Sequence, residues 1–343
     1  MKMCNALLAL ACSSLTSLSC QADCNPTFEH GSGGLTSGRL VYQSRDTQSV
    51  EDPSTLYLYD FSQKQRQILS WPGLSRARNA HFSTGGQWIV FTAVFRADRG
   101  NPFNIFAAKL GGFRANNLSR LTHAADQRSE DANFSFDGSL IVYKKTGDLW
   151  IMRVVLHDDG TVEVSENVQL TTGGADDGSY REASAPFLAV GNDYIVFFRG
   201  GGANYPEQLY VLPMDPNTLM PGTEFPISKD LDAWEYYPVL TESGALYYAR
   251  HLNSDLHDQI WLRSPNYSFD PVHLPTNDCS AENADPAPVQ GNRFIFSYKS
   301  GNSDVRYKLR LGDSATGKVW DFSNNHQLNH TRWDLQGASY TPR

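Results

Sequence analysis

Six short segments hold most of the side chains in this 343-residue chain that could bind or transform a ligand. Arg76-Ala77-Arg78-Asn79-Ala80-His81 joins two arginines to an imidazole, and Asp126-Gln127-Arg128-Ser129-Glu130-Asp131 joins an arginine to three acids. Asp176-Asp177-Gly178-Ser179-Tyr180-Arg181-Glu182 adds a tyrosine, and Asp230-Leu231-Asp232-Ala233-Trp234-Glu235-Tyr236-Tyr237 adds three aromatics. The stretch from Asn277 to Asp285 and the run His326-Gln327-Leu328-Asn329-His330-Thr331-Arg332-Trp333 complete the set. Acids and arginines orient a polar ligand, and aromatic faces stack on sugars or peptides. The candidate ligand contacts are therefore His81, Glu130, Asp131, Tyr180, Arg181, Trp234, Glu235, Tyr236, His326, His330 and Arg332. The plainer alternative is that the aromatics are packing and the charges solvate loop tips.

Other chemistries leave weaker traces. His326 and His330 stand four apart, which on a helix would present two imidazoles to a metal, but the segment reads as a loop without the glutamate of a zincin motif. No metal centre is assigned. Asp126, Glu130, Asp131, Asp176, Asp177, Asp230 and Asp232 could supply oxygens to Ca²⁺, yet no EF-hand-type loop surrounds them, so no cofactor is expected. Paired acids such as Glu130 with Glu235 would serve glycoside hydrolysis. His81, Tyr180, Arg181, Tyr236, His326, His330 and Arg332 form the pool from which a polysaccharide lyase would draw. There is no G-x-S-x-G elbow, P-loop or dinucleotide fingerprint. A formal charge of -8 argues against a nucleic-acid partner.

The elements that must position these segments repeat. Apolar triplets recur as Leu40-Val41-Tyr42, Ile89-Val90-Phe91, Ile141-Val142-Tyr143, Ile195-Val196-Phe197, Leu246-Tyr247-Tyr248 and Phe294-Ile295-Phe296, at intervals of 49, 52, 54, 51 and 48 residues. Each is followed by two further strand-like runs, such as Leu149-Trp150-Ile151 and Val168-Gln169-Leu170. In five units a fourth strand precedes the triplet and ends in a glycine turn, as in Phe134-Ser135-Phe136-Asp137-Gly138, with weaker versions ending at Gly191, Gly244 and Gly291. That strand is missing before Leu40, but Gly337-Ala338-Ser339-Tyr340-Thr341-Pro342 at the C-terminus matches Asp131-Ala132-Asn133-Phe134-Ser135-Phe136. The expected fold is all-β: a six-bladed β-propeller of four antiparallel strands per blade, its first blade closed by the C-terminal strand. The six polar segments then face one central funnel. Strand alternation sends Trp234 and Tyr236 to one side and Glu235 and Tyr237 to the other, with Pro238 fixing the strand entry.

The run Ala132-Asn133-Phe134-Ser135-Phe136-Asp137-Gly138-Ser139-Leu140-Ile141-Val142-Tyr143, followed by Asp148-Leu149-Trp150-Ile151 and Leu170-Thr171, resembles the repeat of TolB-like propellers. Leu121-Thr122, Gln208-Leu209-Tyr210 and Gln259-Ile260-Trp261 echo its later parts. The resemblance covers residues 39 to 343, with Ala80, Ala132 and Ala338 where that family usually has proline. It implies the propeller without the N-terminal α/β domain of TolB itself.

Residues 1–22 read as a signal peptide: a brief basic start, an apolar run from Ala6 to Leu18 and small residues before Ala22. Residues 23–38 read as an N-terminal tail and 39–343 as the propeller. Lipidation at Cys20 and secretion are the alternatives to a soluble periplasmic protein. Only Cys24 and Cys279 remain after cleavage, and they are expected to form a disulfide. No later stretch is apolar and long enough for a membrane helix. The reading is an exported monomer that binds a protein or oligosaccharide at the funnel without catalysis. A polysaccharide lyase or glycoside hydrolase is the alternative.

Overall fold

The computed structural model describes residues 24, 26–46, 54–98, 100, 102–111, 114–123, 127–174, 182–200, 206–228, 230–252, 257–265, 271–301, 306–322, 328 and 333–342. Six antiparallel sheets of four strands form the blades, and each apolar triplet lies on its blade's second strand. The triplets are continuous apolar runs because both faces of that strand are covered by neighbouring blades. Leu40 and Tyr42 join one core cluster while Val41 joins the next. Ile195 and Phe197 likewise separate from Val196, and Phe294 and Phe296 from Ile295. The odd residue of each triplet hands contact on to the adjacent blade. Ile295 of blade six therefore shares a cluster with Leu40 and Tyr42 of blade one, and the ring is shut.

Closure is by the C-terminus, as expected. Trp333–Thr341 is the innermost strand of blade one and pairs antiparallel with Arg39–Asp46. Leu40 faces Tyr340 there, just as Ile141 faces Phe134 in blade three. Gly86, Gly138, Gly244 and Gly291 take positive φ in the hairpin turns. Blade four departs from the expectation at Gly191: the left-handed residue is Asn192, with φ 56°, which asparagine tolerates better than most side chains.

Residues 26–38 pack against the propeller. Thr27–His30 adds a fifth, parallel strand to the outer edge of blade six beside Lys318–Asp321. Glu29 accepts hydrogen bonds from Lys318 Nζ and Trp320 Nε1, both at 2.8 Å. Leu35 is buried in the blade-one core cluster. Gly33 lies so close to Trp320 that a Cβ would fall 2.6 Å from the indole. Cys24 is joined to Cys279, with Cα atoms 5.6 Å apart, fastening this strand to the loop that enters blade six. No helix among the described residues is long and apolar enough to cross a membrane.

Candidate functional site

Every innermost strand breaks its alternation at one repeated place. Asn79, Asp131, Ala185, Tyr237 and Asp285 have left-handed φ between 46° and 55°, and Gly337 has φ 56°. They recur every 52, 54, 52, 48 and 52 residues. The pairing register slips at the same positions. A bulge of this kind turns two consecutive side chains to one face. Both the left-handed residue and the one before it therefore line the central channel: Arg78 with Asn79, Glu130 with Asp131, Ser184 with Ala185, Tyr236 with Tyr237, Ala284 with Asp285, Gln336 with Gly337. A left-handed non-glycine residue costs about 1 kcal/mol. Five in register are a repeated expense at the one surface all blades share.

The residue two before each bulge is turned the other way and buried between blades. Ala77, Ser129, Ala183, Asn283 and Leu335 occupy this position, and Glu235 is its sixth member. This corrects the expected alternation and removes Glu235 from the ligand contacts. Glu235 is 0% exposed, bonded to Arg250 Nη1 at 3.0 Å, with Arg263 at 3.8 Å. Arg250 also holds Asp230. Glu235 therefore does not offer a free carboxylate for hydrolysis beside Glu130.

Further cavity-lining residues, Glu207, Asp258 and Tyr307, come from the start of the third strand in blades four, five and six. Two cavities of about 450 and 320 Å³ result, and Phe198, Glu207, Tyr237, Asp285 and Gln336 line both. Phe103 holds the equivalent register position in blade two but is on neither cavity wall.

On the side of blades two and three, the charges satisfy one another. Glu130 receives Arg78, Arg128 Nε at 2.5 Å and Lys144 Nζ at 3.6 Å. Lys144 also reaches Glu182 at 2.7 Å and Asp131 at 3.9 Å. These three acids push the Lys144 ammonium above its usual range, although burial opposes them. Arg78, Arg76 and Arg128 lie 4.0, 4.7 and 5.3 Å from the centroid of the Phe103 ring. Asn79 Nδ2 donates to Asp131 Oδ1 at 2.7 Å. His81 lies deeper in the same wall, edge-on to Phe187, and burial pushes its imidazole down to about 4, against the pull of Asp131. It is a neutral hydrogen-bonding group at neutral pH.

Blades four to six are different. Among the described residues, the smaller cavity is lined by the carboxylates of Glu207, Asp258 and Asp285 and by no lysine or arginine. Asp258 accepts hydrogen bonds from the Tyr236 hydroxyl and from His251 Nδ1, the latter at 2.9 Å. Glu282 accepts from the Tyr307 hydroxyl and pairs with Lys299 at 2.8 Å. Among the described residues, no side chain hydrogen-bonds the Glu207 carboxylate. Burial pushes that carboxyl up to about 7, with Glu182 and Asp258 adding to the rise and His251 opposing it. A carboxyl with this value in a cleft can donate or accept a proton near neutrality, or hold a cation.

Of the expected contacts, the bulge brings His81, Glu130, Asp131 and Tyr236 into the channel wall. Trp234 is not on either cavity wall; it stacks on His251, 5.9 Å between centroids and 13° between planes, and so backs the Tyr236–His251–Asp258 group. Tyr180, Arg181, His326, His330 and Arg332, and also Asp126, Asp176 and Asp177, lie outside the described residues. Glu207, His251, Asp258, Tyr307 and Lys144 were not among the expected contacts. Their signal was one residue away: Gln208-Leu209-Tyr210 and Gln259-Ile260-Trp261 are repeat-like, and an acid precedes each. Cys24, Cys279 and His273 bring their sulfur and nitrogen atoms within 4.8 Å of one another, but the two sulfurs are bonded to each other and hold no thiolate for a metal.

No family model and no curated protein matches the chain. Solved structures share its fold. A chain of a nidogen/laminin complex aligns with a TM-score of 0.56 at 10% identity, covering 88% of this chain and 98% of that one. A puromycin-hydrolyzing peptidase from Mycobacterium tuberculosis aligns with a TM-score of 0.50 at 14% identity, covering 87% of this chain and 45% of that one. This chain thus spans less than half of the peptidase. At such identities the likeness is one of architecture, and it agrees with the strand order: the chain is a six-bladed β-propeller.

Proposed function

We propose that this chain is an exported binding module that holds a segment of a protein or glycan in its central channel without turning it over. The observation that carries this reading is the register of bulges: six strands each turn two side chains onto one shared wall, at a cost in backbone strain. A wall held by strain and lined with polar and aromatic groups suits ligand contact more than packing. The disulfide and the apolar N-terminus support export, and the motif at residues 132–143 supports kinship with TolB-like repeats.

A panel of short peptides and neutral oligosaccharides, screened by thermal shift against the mature protein, tests the reading. At least one class should bind, and Tyr237→Ala should weaken it two- to tenfold, since an aromatic contact contributes about 0.5–1.5 kcal/mol. A ligand whose affinity ignores Tyr237, or that protects only outer strands from hydrogen exchange, contradicts it. Glu207 favours one second reading, a polysaccharide-active enzyme. Its carboxyl near 7 beside Asp258 and Asp285 has the form of an acid paired with a base. Turnover of oligosaccharides that vanishes in Glu207→Gln would replace the binding module by that enzyme.

A further inference from the structure

The cavity between blades four and six is more selective than a general polar funnel. Among the described residues its carboxylates are Glu207, Asp258 and Asp285, no lysine or arginine lines it, and its one basic side chain, His251, is engaged by Asp258 at 2.9 Å. Asp258 is taken up by Tyr236 and His251, and Asp285 accepts from Ser297 Oγ at 3.2 Å. Glu207, which borders both cavities, receives no hydrogen bond from any described side chain. Next to it, Phe198, Tyr236 and Tyr237 form a corner of mutually edge-on rings. The centroids of Tyr236 and Tyr237 are 5.0 Å apart at 84°, and those of Phe198 and Tyr237 are 6.0 Å apart at 88°.

Resting on the channel-binding reading above, we propose that this corner takes an alkylammonium group of a peptide, its free N-terminus or a lysine side chain. Aromatic faces attract cations, and a partly desolvated carboxylate gains most from a charged donor. An anion would meet three acids. A neutral sugar would leave the Glu207 charge uncompensated. A hard divalent cation needs several oxygens converging on one point. Among the described residues, the only group of three or more acids, histidines and cysteines that converges within 4.8 Å is the one at the disulfide, so these acids are spaced for a larger cation. The raised Glu207 carboxyl fits the same account, because it marks a buried acid waiting for a counter-charge. Since Phe198, Glu207, Tyr237, Asp285 and Gln336 are shared with the larger cavity, the chain behind the ammonium can run on toward blades two and three.

The test is titration calorimetry on the full mature protein at pH 8 with five probes: tetra-alanine amide, its N-acetylated form, Nα-acetyl-lysine amide, a glucosamine trimer and a neutral cello-oligosaccharide. The expected result is binding by tetra-alanine amide or Nα-acetyl-lysine amide, whichever source is used. N-acetylation should abolish binding of the first, and both Glu207→Gln and Asp285→Asn should weaken the binder at least tenfold. Binding of the glucosamine trimer or the neutral oligosaccharide in the channel without binding of either amine peptide probe overturns the ammonium proposal and leaves the binding module standing. Amine binding that ignores both substitutions overturns the assigned site. No binding by any probe overturns both readings. Circular dichroism of each variant confirms that a loss is not unfolding.

Discussion

The two sides of the channel use the same strand positions to opposite ends. In blades two and three, Glu130 sits one residue before the bulge and is enclosed by Arg78, Arg128 and Lys144. In blades four to six, Tyr236 holds the equivalent position, and the nearby Glu207 has no such enclosure among the described residues. A carboxylate buried with cations around it fixes shape; breaking it leaves uncompensated charge. A carboxylate buried without them costs stability until something binds. Repeats make this contrast readable, because backbone position is held constant while the side chain is changed.

The largest effect should come from removing what joins the two sides. Blade one lies between blades six and two, and its innermost strand is C-terminal. Deleting residues 337–343 takes away Ala338, Tyr340 and about half of that strand's ladder, exposing an unpaired edge at Arg39–Val41. The cooperative thermal transition should broaden or vanish, and intact melting would contradict closure by this strand.

Next in size is the inter-blade acid. Glu235→Ala would take the acid from largely buried Arg263 and leave Arg250 with Asp230 alone, and should cost about 3–5 kcal/mol in denaturant unfolding. If Glu235 were instead a ligand contact, the same substitution would be near neutral for stability and costly for binding.

Most of this architecture was legible in the sequence, and the reason is physical. A strand sandwiched between two blades must be apolar on both faces, so Leu40-Val41-Tyr42 and its five counterparts announce themselves. The C-terminal match of Gly337 to Asp131 even aligned two of the six bulges. The bulges themselves were not visible, because Asn, Asp, Ala, Tyr and Gly have no common composition; only φ unites them. The error at Glu235 follows directly, since strict alternation places it beside Tyr237 when the bulge in fact places it two positions back, between blades. Glu207 and Asp258 carry no mark of their own in the sequence, because each is a single acid one residue ahead of a third strand, outside the polar segments that enter the innermost strands.

The contrast between Glu130 and Glu207 is most directly tested by neutralising each and following stability against pH. Glu207 has a folded value near 7, above the 4.5 of an unperturbed glutamate, so the folded state binds the extra proton. Its burial therefore costs nothing at pH 4, costs increasingly from pH 4.5 to 7, and costs a constant amount above. Glu207→Gln should leave stability at pH 4 unchanged and raise it at pH 8 by about 3 kcal/mol. Glu130→Gln should lower stability at pH 8 by about 1–3 kcal/mol, because it strips the acid from three cations. Opposite signs at pH 8 are the predicted result; two substitutions that both destabilise would show that Glu207 is structural and that the channel holds no carboxylate in reserve for a ligand.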